Sequence, residues 1–215
     1  MLKTTDKILI YTDLDGTLLD HHSYSFKPAE DTLKKLRAAK IPVIINTSKT
    51  CAEVCQIRKD LLNEHPFIVE NGASILIPKN YFDSQPPQTQ PFTIENEEFW
   101  IRQVGNNRQN YYELILEGAK TLKLNEGDTF SCFTFLGTEG IAKHTGLSME
   151  QAKMANQRIG SEPIFWHSLP SHNAEHNKQA LAQWLIDKGC RVIEGGRFMH
   201  VLHPDASKGL SLIHI

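Results

Sequence analysis

Apolar positions in the first 78 residues come in short blocks, with helically spaced stretches between them. Lys7-Ile8-Leu9-Ile10-Tyr11-Thr12 is a compact, mostly apolar run, the pattern of a strand covered on both faces. From Lys27 to Lys40, Ala29, Leu33 and Leu36 recur at helical spacing, and Pro28 suits a first turn. Pro42-Val43-Ile44-Ile45-Asn46 reads as a second strand. Thr50-Cys51-Ala52-Glu53 fits a capping box, which opens a helix with Val54, Ile57 and Leu61 on its inner stripe. Pro66-Phe67-Ile68-Val69 is a third strand. It runs to a turn at Asn71-Gly72, and a fourth strand follows at Ser74-Ile75-Leu76-Ile77. This alternation predicts an open parallel sheet with covering helices.

The texture changes near Pro78. Gln85 to Pro91 is a polar, stiff connection rich in Pro and Gln. Phe99 to Asn107 reads as helical, and Thr129 to Phe135 alternates as a half-solvated strand does. Ser148-Met149-Glu150-Gln151 caps a helix that carries Ala152, Ala155 and Ile159 on one face. Pro163 to Trp166 is a strand. Leu181, Trp184 and Leu185 mark a helix stopped at Lys188-Gly189, and Phe198 to Leu202 is a further strand. The fold expected is α/β. Residues 1–79 and 201–215 form a Rossmann-like parallel-sheet core, and residues 80–200 form an inserted α+β cap. No internal repeat is present.

Composition narrows the function classes. Lys and Arg number 23 against 25 Asp and Glu, for a net charge of −2, so neither nucleic acid nor an anionic membrane surface is the expected partner. No apolar run approaches the roughly 20 residues that span a bilayer. The N-terminus lacks the pattern of a secretory signal. Four cysteines show no CxxC and no disulfide-dense spacing, which fits reduced thiols and a cytoplasmic location. The histidines His21, His22, His65, His167, His172, His176 and His203 are scattered, without the ligand spacing of a zinc site.

The densest chemistry lies in Tyr11-Thr12-Asp13-Leu14-Asp15-Gly16-Thr17-Leu18-Leu19, at the C-terminal end of the first strand. Ligands bind at that edge of open α/β sheets. Two carboxylates one residue apart can divide phosphoryl transfer. Asp13 can attack phosphorus, and Asp15 can protonate the leaving oxygen and then take a proton from water. Gly16 permits a tight turn, so that main-chain N–H groups of Leu14, Gly16 and Thr17 can face phosphate oxygens. Charge repulsion against a phosphate dianion calls for a divalent cation, Mg²⁺, that bridges Asp13 and the phosphate.

This string resembles the first motif of the haloacid dehalogenase superfamily. The resemblance implies that Asp13 is nucleophile and metal ligand, and that Asp15 is the acid/base with its backbone carbonyl on the metal. It also implies a hydroxyl at the end of the second strand, which here is Thr47 with Ser48 as the substitute; either can also serve as a helix cap. The implied third element is a lysine that neutralises nucleophile and phosphate. Lys208, in Asp205-Ala206-Ser207-Lys208-Gly209, stands at a helix start, where the dipole disfavours a cation unless an anion faces it.

Longer blocks narrow the likeness. DLDGTLLDHHSY, IPVIINTSKTCAEV, IVENGA, TGLSMEQAKMANQRIGSEPIFW and GGRFMHVLHPDASKG resemble the mannosyl-3-phosphoglycerate phosphatase family over nearly the whole chain. That resemblance implies a small phosphorylated sugar-glycerate substrate, with mannose and glucose both open. A carboxylate, a phosphate and a sugar need cations and hydroxyl partners, and the candidates are Arg158, Ser161, Arg197 and His200. Arg158 reads equally as a solvated helix-end charge, His200 equally as a core histidine, and Trp166 as core. One element of the superfamily is not found: the acidic Gly-Asp-x-x-x-Asp motif after the lysine helix. Seven residues follow Lys208, and Gly127-Asp128 leads into Thr-Phe-Ser-Cys instead. The expectation is therefore a C-terminally truncated member, with an incomplete core, an open sheet edge and a weakened magnesium site.

Overall fold

The computed structural model describes residues 8–20, 25–167 and 174–211. His21, His22, His172 and the apolar tail at 212–215 lie outside the described residues. Ten strands form two sheets among the described residues. In the first sheet, β1 (Ile10–Thr12), β2 (Val43–Asn46) and β3 (Phe67–Val69) run parallel. Between them lie α1 (Glu30–Ala38), entered through a 3-10 turn at Lys27–Ala29, and α2 (Cys51–Leu61).

The sheet then departs from the all-parallel expectation. β4 (Ser74–Pro78) pairs antiparallel with β3. The four residues between them, Glu70–Ala73, allow only a reversal, since a parallel return needs a crossover of about a dozen residues or more. β5 (Gln90–Ile94) and β6 (Glu97–Gln103) form a hairpin that joins β4 through β6, giving the order β1-β2-β3-β4-β6-β5. Residues 97–103 are thus strand, where the sequence reading expected helix. Phe99 and Ile101 are buried, while Glu98, Trp100 and Arg102 are less so, a period of two that the apolar Trp100 obscures. The expected break at 79–80 falls inside this sheet, because Pro78 and Phe99 are register partners.

α3 (Arg108–Thr121) starts at Asn107, whose side chain accepts from Asn110 N. The second sheet contains β7 (Phe130–Cys132), β8 (Ser161–Trp166), β9 (Arg191–Gly195) and β10 (Phe198–Leu202), antiparallel in the order β7-β8-β10-β9. The alternation read over 129–135 stops at Cys132, where α4 (Phe133–Thr145) begins; α4 is broken at Gly137 by a left-handed φ of 60°. Ser148 makes the expected capping box with Gln151 at the start of α5 (Met149–Ala155). α6 (Ala174–Asp187) packs with α3 on one face of the second sheet. There Ile115, Leu181 and Leu185 meet Phe130, Ile164, Met199 and Val201. Alternation along β10 sends Phe198 and His200 to the other face, towards the first sheet.

The chain crosses between the sheets twice, at 104–107 and 203–207, and the crossings touch. Gly105 has φ +83°, and a Cβ there would lie 2.4 Å from the His203 side chain. Ala73, Leu202 and Ala206 are fully buried beside this junction. The chain re-enters the first-sheet side through α7 (Lys208–Ser211). Among the described residues no helix is long and apolar enough to cross a membrane.

Candidate active site

The loop after β1 follows from its own pattern. Leu14, Leu18 and Leu19 are buried and anchor it in the core, while Asp13 and Asp15, on either side of Leu14, keep their carboxylates half-exposed. Leu19 N donates to Leu14 O at 2.8 Å and Thr17 N to the same carbonyl at 3.2 Å, and Gly16 turns the chain at φ +68°. Leu14 N donates to Asp13 Oδ1 at 2.8 Å, so one carboxylate oxygen is fixed by the backbone beside it.

Lys208 Nζ lies 2.6 Å from Asp13 Oδ2. This is the anionic partner that a cation at a helix start calls for. The Lys208 backbone is held in turn, because Asn46 Nδ2 donates to its carbonyl at 2.9 Å. Asp15 Oδ2 faces Lys49 Nζ at 3.1 Å. Each carboxylate of the loop therefore has its own ammonium. Lys49, two residues after Thr47, is a half-buried member of the site.

The two hydroxyls after β2 divide. Thr47 is fully buried and its Oγ1 accepts from Lys49 N at 3.3 Å, whereas Ser48 lines the cleft over the carboxylates. Thr50 closes the capping box with Glu53, and its Oγ1 reaches the Met154 carbonyl at 2.8 Å, tying α2 to α5.

That cleft, of about 490 Å³, lies between the sheets. Asp13, Asp15, Ser48, Lys49, Arg197, His200 and Lys208 are among its walls. Four cationic side chains (Lys49, Arg158, Arg197, Lys208) face it against three carboxylates (Asp13, Asp15, Glu53), which suits an anionic ligand. Gly16 and Thr17 sit on the exposed outer turn of the loop, and Leu14 is buried beneath it. None of these three lines the cleft with its side chain.

Arg158 is 4% exposed at its side chain and is built into the wall. Its Nε donates to Ser161 Oγ at 3.0 Å and its Nη2 to the Ser48 carbonyl at 2.8 Å. Ser161 is fully buried and donates to Glu70 Oε2 at 2.6 Å, so its hydroxyl faces inward rather than into the cleft. Glu70, which sequence reasoning missed, is the centre of this knot. It is fully buried and also accepts from Ile159 N at 2.7 Å and Gly160 N at 3.2 Å. Its only signal in the sequence is its place beside Asn71-Gly72, read there as a turn.

Arg197 donates to the His144 and Thr145 carbonyls at 3.4 and 3.1 Å, neutral partners that leave its charge for a ligand. His200 is 8% exposed, and among the described residues its Nδ1 has no partner. Burial, and then the nearby Arg158 charge, lower its pKa to about 3, so the ring is neutral at ordinary pH.

Among the described residues no group of three or more His, Cys, Asp or Glu gathers as a metal cage. The half-exposed Asp13 carboxylate nonetheless offers a hard oxygen donor, and the main-chain carbonyl of Asp15, two residues on, is the second. A magnesium ion that keeps most of its waters fits such a pair, whereas a zinc ion does not.

Residues 10–214 match the haloacid dehalogenase-like hydrolase family. A glucosyl-3-phosphoglycerate/mannosyl-3-phosphoglycerate phosphatase of Persephonella marina is 32% identical over 205 residues, 94% of this chain and 69% of its own length. The protein of the same name from Methanococcoides burtonii is 33% identical over 210 residues, 94% of this chain and 70% of its own length. Among solved structures, a haloalkanoate-superfamily phosphatase of Bacteroides thetaiotaomicron superposes with a TM-score of 0.62 at 15% identity, covering 99% of this chain and 74% of its own. The carboxylate loop, the lysine that meets it, the fold and these likenesses agree: the chain belongs to the haloacid dehalogenase-like hydrolase family.

Proposed function

We propose that the protein is a magnesium-dependent phosphatase that removes the phosphate of a glycosyl-3-phosphoglycerate, releasing glycosylglycerate and phosphate. The observation that carries this reading is the convergence of Asp13, Lys208, Asp15 and Lys49 at the mouth of β1, under a cleft with two further arginines. The curated relatives bear the name of that activity.

In this reading Asp13 attacks phosphorus and becomes an aspartyl-phosphate while the P–O bond to the glycerate oxygen breaks. Leu14 N–H orients the carboxylate, and Lys208 offsets the negative charge between nucleophile and phosphoryl group. Asp15 gives its proton to the departing oxygen. It then takes one from the water that hydrolyses the acyl-phosphate, freeing Asp13. A magnesium ion held by the Asp13 carboxylate and the Asp15 main-chain carbonyl would supply Lewis-acid polarisation of the phosphoryl oxygens, leaving the Asp15 carboxyl to move the proton. Ser48, which lines the cleft at the end of β2 beside the carboxylate loop, donates to a phosphoryl oxygen in this reading, with Thr47 shaping the turn beneath it. The second sheet and its helices act as the cap that excludes water. Arg197 meets the substrate carboxylate, Arg158 holds the wall, and neutral His200 meets a polar group of the leaving arm.

Phosphate release from mannosyl- and glucosyl-3-phosphoglycerate, with magnesium and with a chelator, tests this directly. Turnover should need the metal and vanish in Asp13→Asn, which keeps the shape but is a far poorer nucleophile. Turnover surviving in that variant would remove the covalent mechanism.

A further inference from the structure

Between β3 and β4 the chain makes a left-handed turn. Glu70, Asn71 and Gly72 have φ of +52°, +58° and +98°, and only the glycine lacks the Cβ that makes this conformation costly. Backbone in that region persists where its surroundings over-determine it, and such places cluster at functional sites. The surroundings here belong to the active site. Glu70 N donates to the Lys49 carbonyl at 2.9 Å, and Asn71 N donates to the Thr47 carbonyl at 3.0 Å. Asn71 also lines the cleft, and α7, which carries Lys208, packs on the turn.

The Glu70 carboxylate reaches the other way. It is fully buried, and among the described residues it accepts from Ile159 N, Gly160 N and Ser161 Oγ at 2.7, 3.2 and 2.6 Å. The two segments are in close contact, since a Cβ on Gly160 would lie 3.1 Å from that of Ala73. Arg158, 3.7 Å from Glu70 and braced by Ser161 Oγ at 3.0 Å, donates from Nη2 to the Ser48 carbonyl at 2.8 Å. The carbonyls of Thr47, Ser48 and Lys49 are thus held one after another. The turn holds two, and a side chain secured by the turn's own carboxylate holds the third. Fixing a carbonyl fixes its peptide plane, and with it the next N–H and Cα. These planes carry Ser48, which lines the cleft, and Lys49, whose Nζ lies 3.1 Å from Asp15 Oδ2.

We propose that Glu70 is a positioning residue for the phosphatase reaction. Through its turn and through Arg158 it holds Ser48 and Lys49 in register with the Asp13–Asp15 loop. It touches no reacting atom. Phosphoryl transfer depends on donors set in place beforehand, and a displacement of about 1 Å that starts far from the chemistry can cost about 10²-fold in rate. This inference rests on the reading under Proposed function. It adds a buried acid that acts on the reaction only through the groups it holds.

The test compares wild type with Glu70→Gln, which puts an amide among the donors that face the carboxylate, and Ser161→Ala, which removes one donor and the brace of Arg158. Magnesium-dependent phosphate release from mannosyl-3-phosphoglycerate is measured, together with inhibition by orthovanadate and by inorganic phosphate. Vanadate takes the five-coordinate shape of the transferring group, and phosphate does not. In Glu70→Gln, kcat should fall about 10–100-fold while KM stays within about threefold. Vanadate affinity should fall with kcat, and phosphate affinity should hold. Ser161→Ala should move the same way by less. A purely structural role lowers the amount of folded enzyme, and an inhibition constant does not depend on that amount. A ratio of the two inhibition constants within about twofold of wild type in both variants therefore overturns the proposal. Should Glu70→Gln fail to fold, Ser161→Ala decides alone. If wild type with magnesium releases no phosphate, the phosphatase reading falls and this proposal falls with it. If wild type is active and the ratio does not move, the positioning role alone falls.

Discussion

Arg158 Nη2 donates to the Ser48 carbonyl at 2.8 Å, so a side chain of the second sheet's side grips the turn that leaves β2. The same guanidinium is braced by Ser161 Oγ at 3.0 Å, with Glu70 3.7 Å away and anchored at the end of β3. Glu70 N and Asn71 N donate to the Lys49 and Thr47 carbonyls at 2.9 and 3.0 Å, which closes the loop of contacts. Replacing Arg158 by Ala leaves a buried carboxylate without its cation. Breaking such pairs costs on the order of 3–5 kcal/mol, so Arg158→Ala should shift the urea midpoint strongly downward. Arg158→Lys should recover part of that loss, because the charge returns without the planar fork.

Lys208→Gln tests the neutralising role. The variant keeps a polar side chain and loses the charge 2.6 Å from Asp13. Initial rates of phosphate release should drop about 10²–10³-fold, the usual loss for one electrostatic donor, with little change in thermal stability because the pair is half-exposed. Equal activity would place the charge compensation elsewhere.

His200 gives the pH dependence a sign. Its folded pKa is depressed to about 3, below the unfolded value near 6.5, so the unfolded chain binds the extra proton between those values. This contribution to stability is complete above pH 6.5 and is lost as pH falls towards 3. The slope from this group approaches about 1.4 kcal/mol per pH unit. Thermal melts from pH 7.5 down to pH 5 should show a falling Tm, and His200→Gln should flatten that decline. An unchanged slope would assign the acid sensitivity to other groups.

Gly105→Ala probes the junction of the two crossings. The backbone there is left-handed at φ +83°, and the new methyl would sit 2.4 Å from His203 atoms. Backbone strain alone costs on the order of 1–3 kcal/mol, and the contact adds to it. Equilibrium unfolding should reveal the loss. Gly189→Ala, also at positive φ but with open space around its Cβ, should cost less.

Legibility followed the range of the forces involved. The Asp13 and Asp15 pair was legible as a local pattern after an apolar strand, whereas Lys208 was singled out by the family resemblance, with its place at a helix start in support. The capping boxes at Thr50 and Ser148 were legible for the same reason, as each is written within four residues. The strand at 97–103 was not, because Trp100 joins Phe99 and Ile101 into an unbroken apolar run that fits either period. Glu70 escaped because its role comes from tertiary contacts. Glu70 meets residues 159–161 about ninety positions away in sequence, and no local pattern marks an acid that will be buried. Ser161 was singled out by what the implied substrate needs, but that need does not say which way a hydroxyl turns.

The contact of Gly105 with His203 has a mechanical consequence. Both threads that join the two halves run side by side there, so they define a single pivot. The Arg158–Ser48 and Thr50–Met154 hydrogen bonds also cross between the halves, so any turning about that pivot would first have to break them.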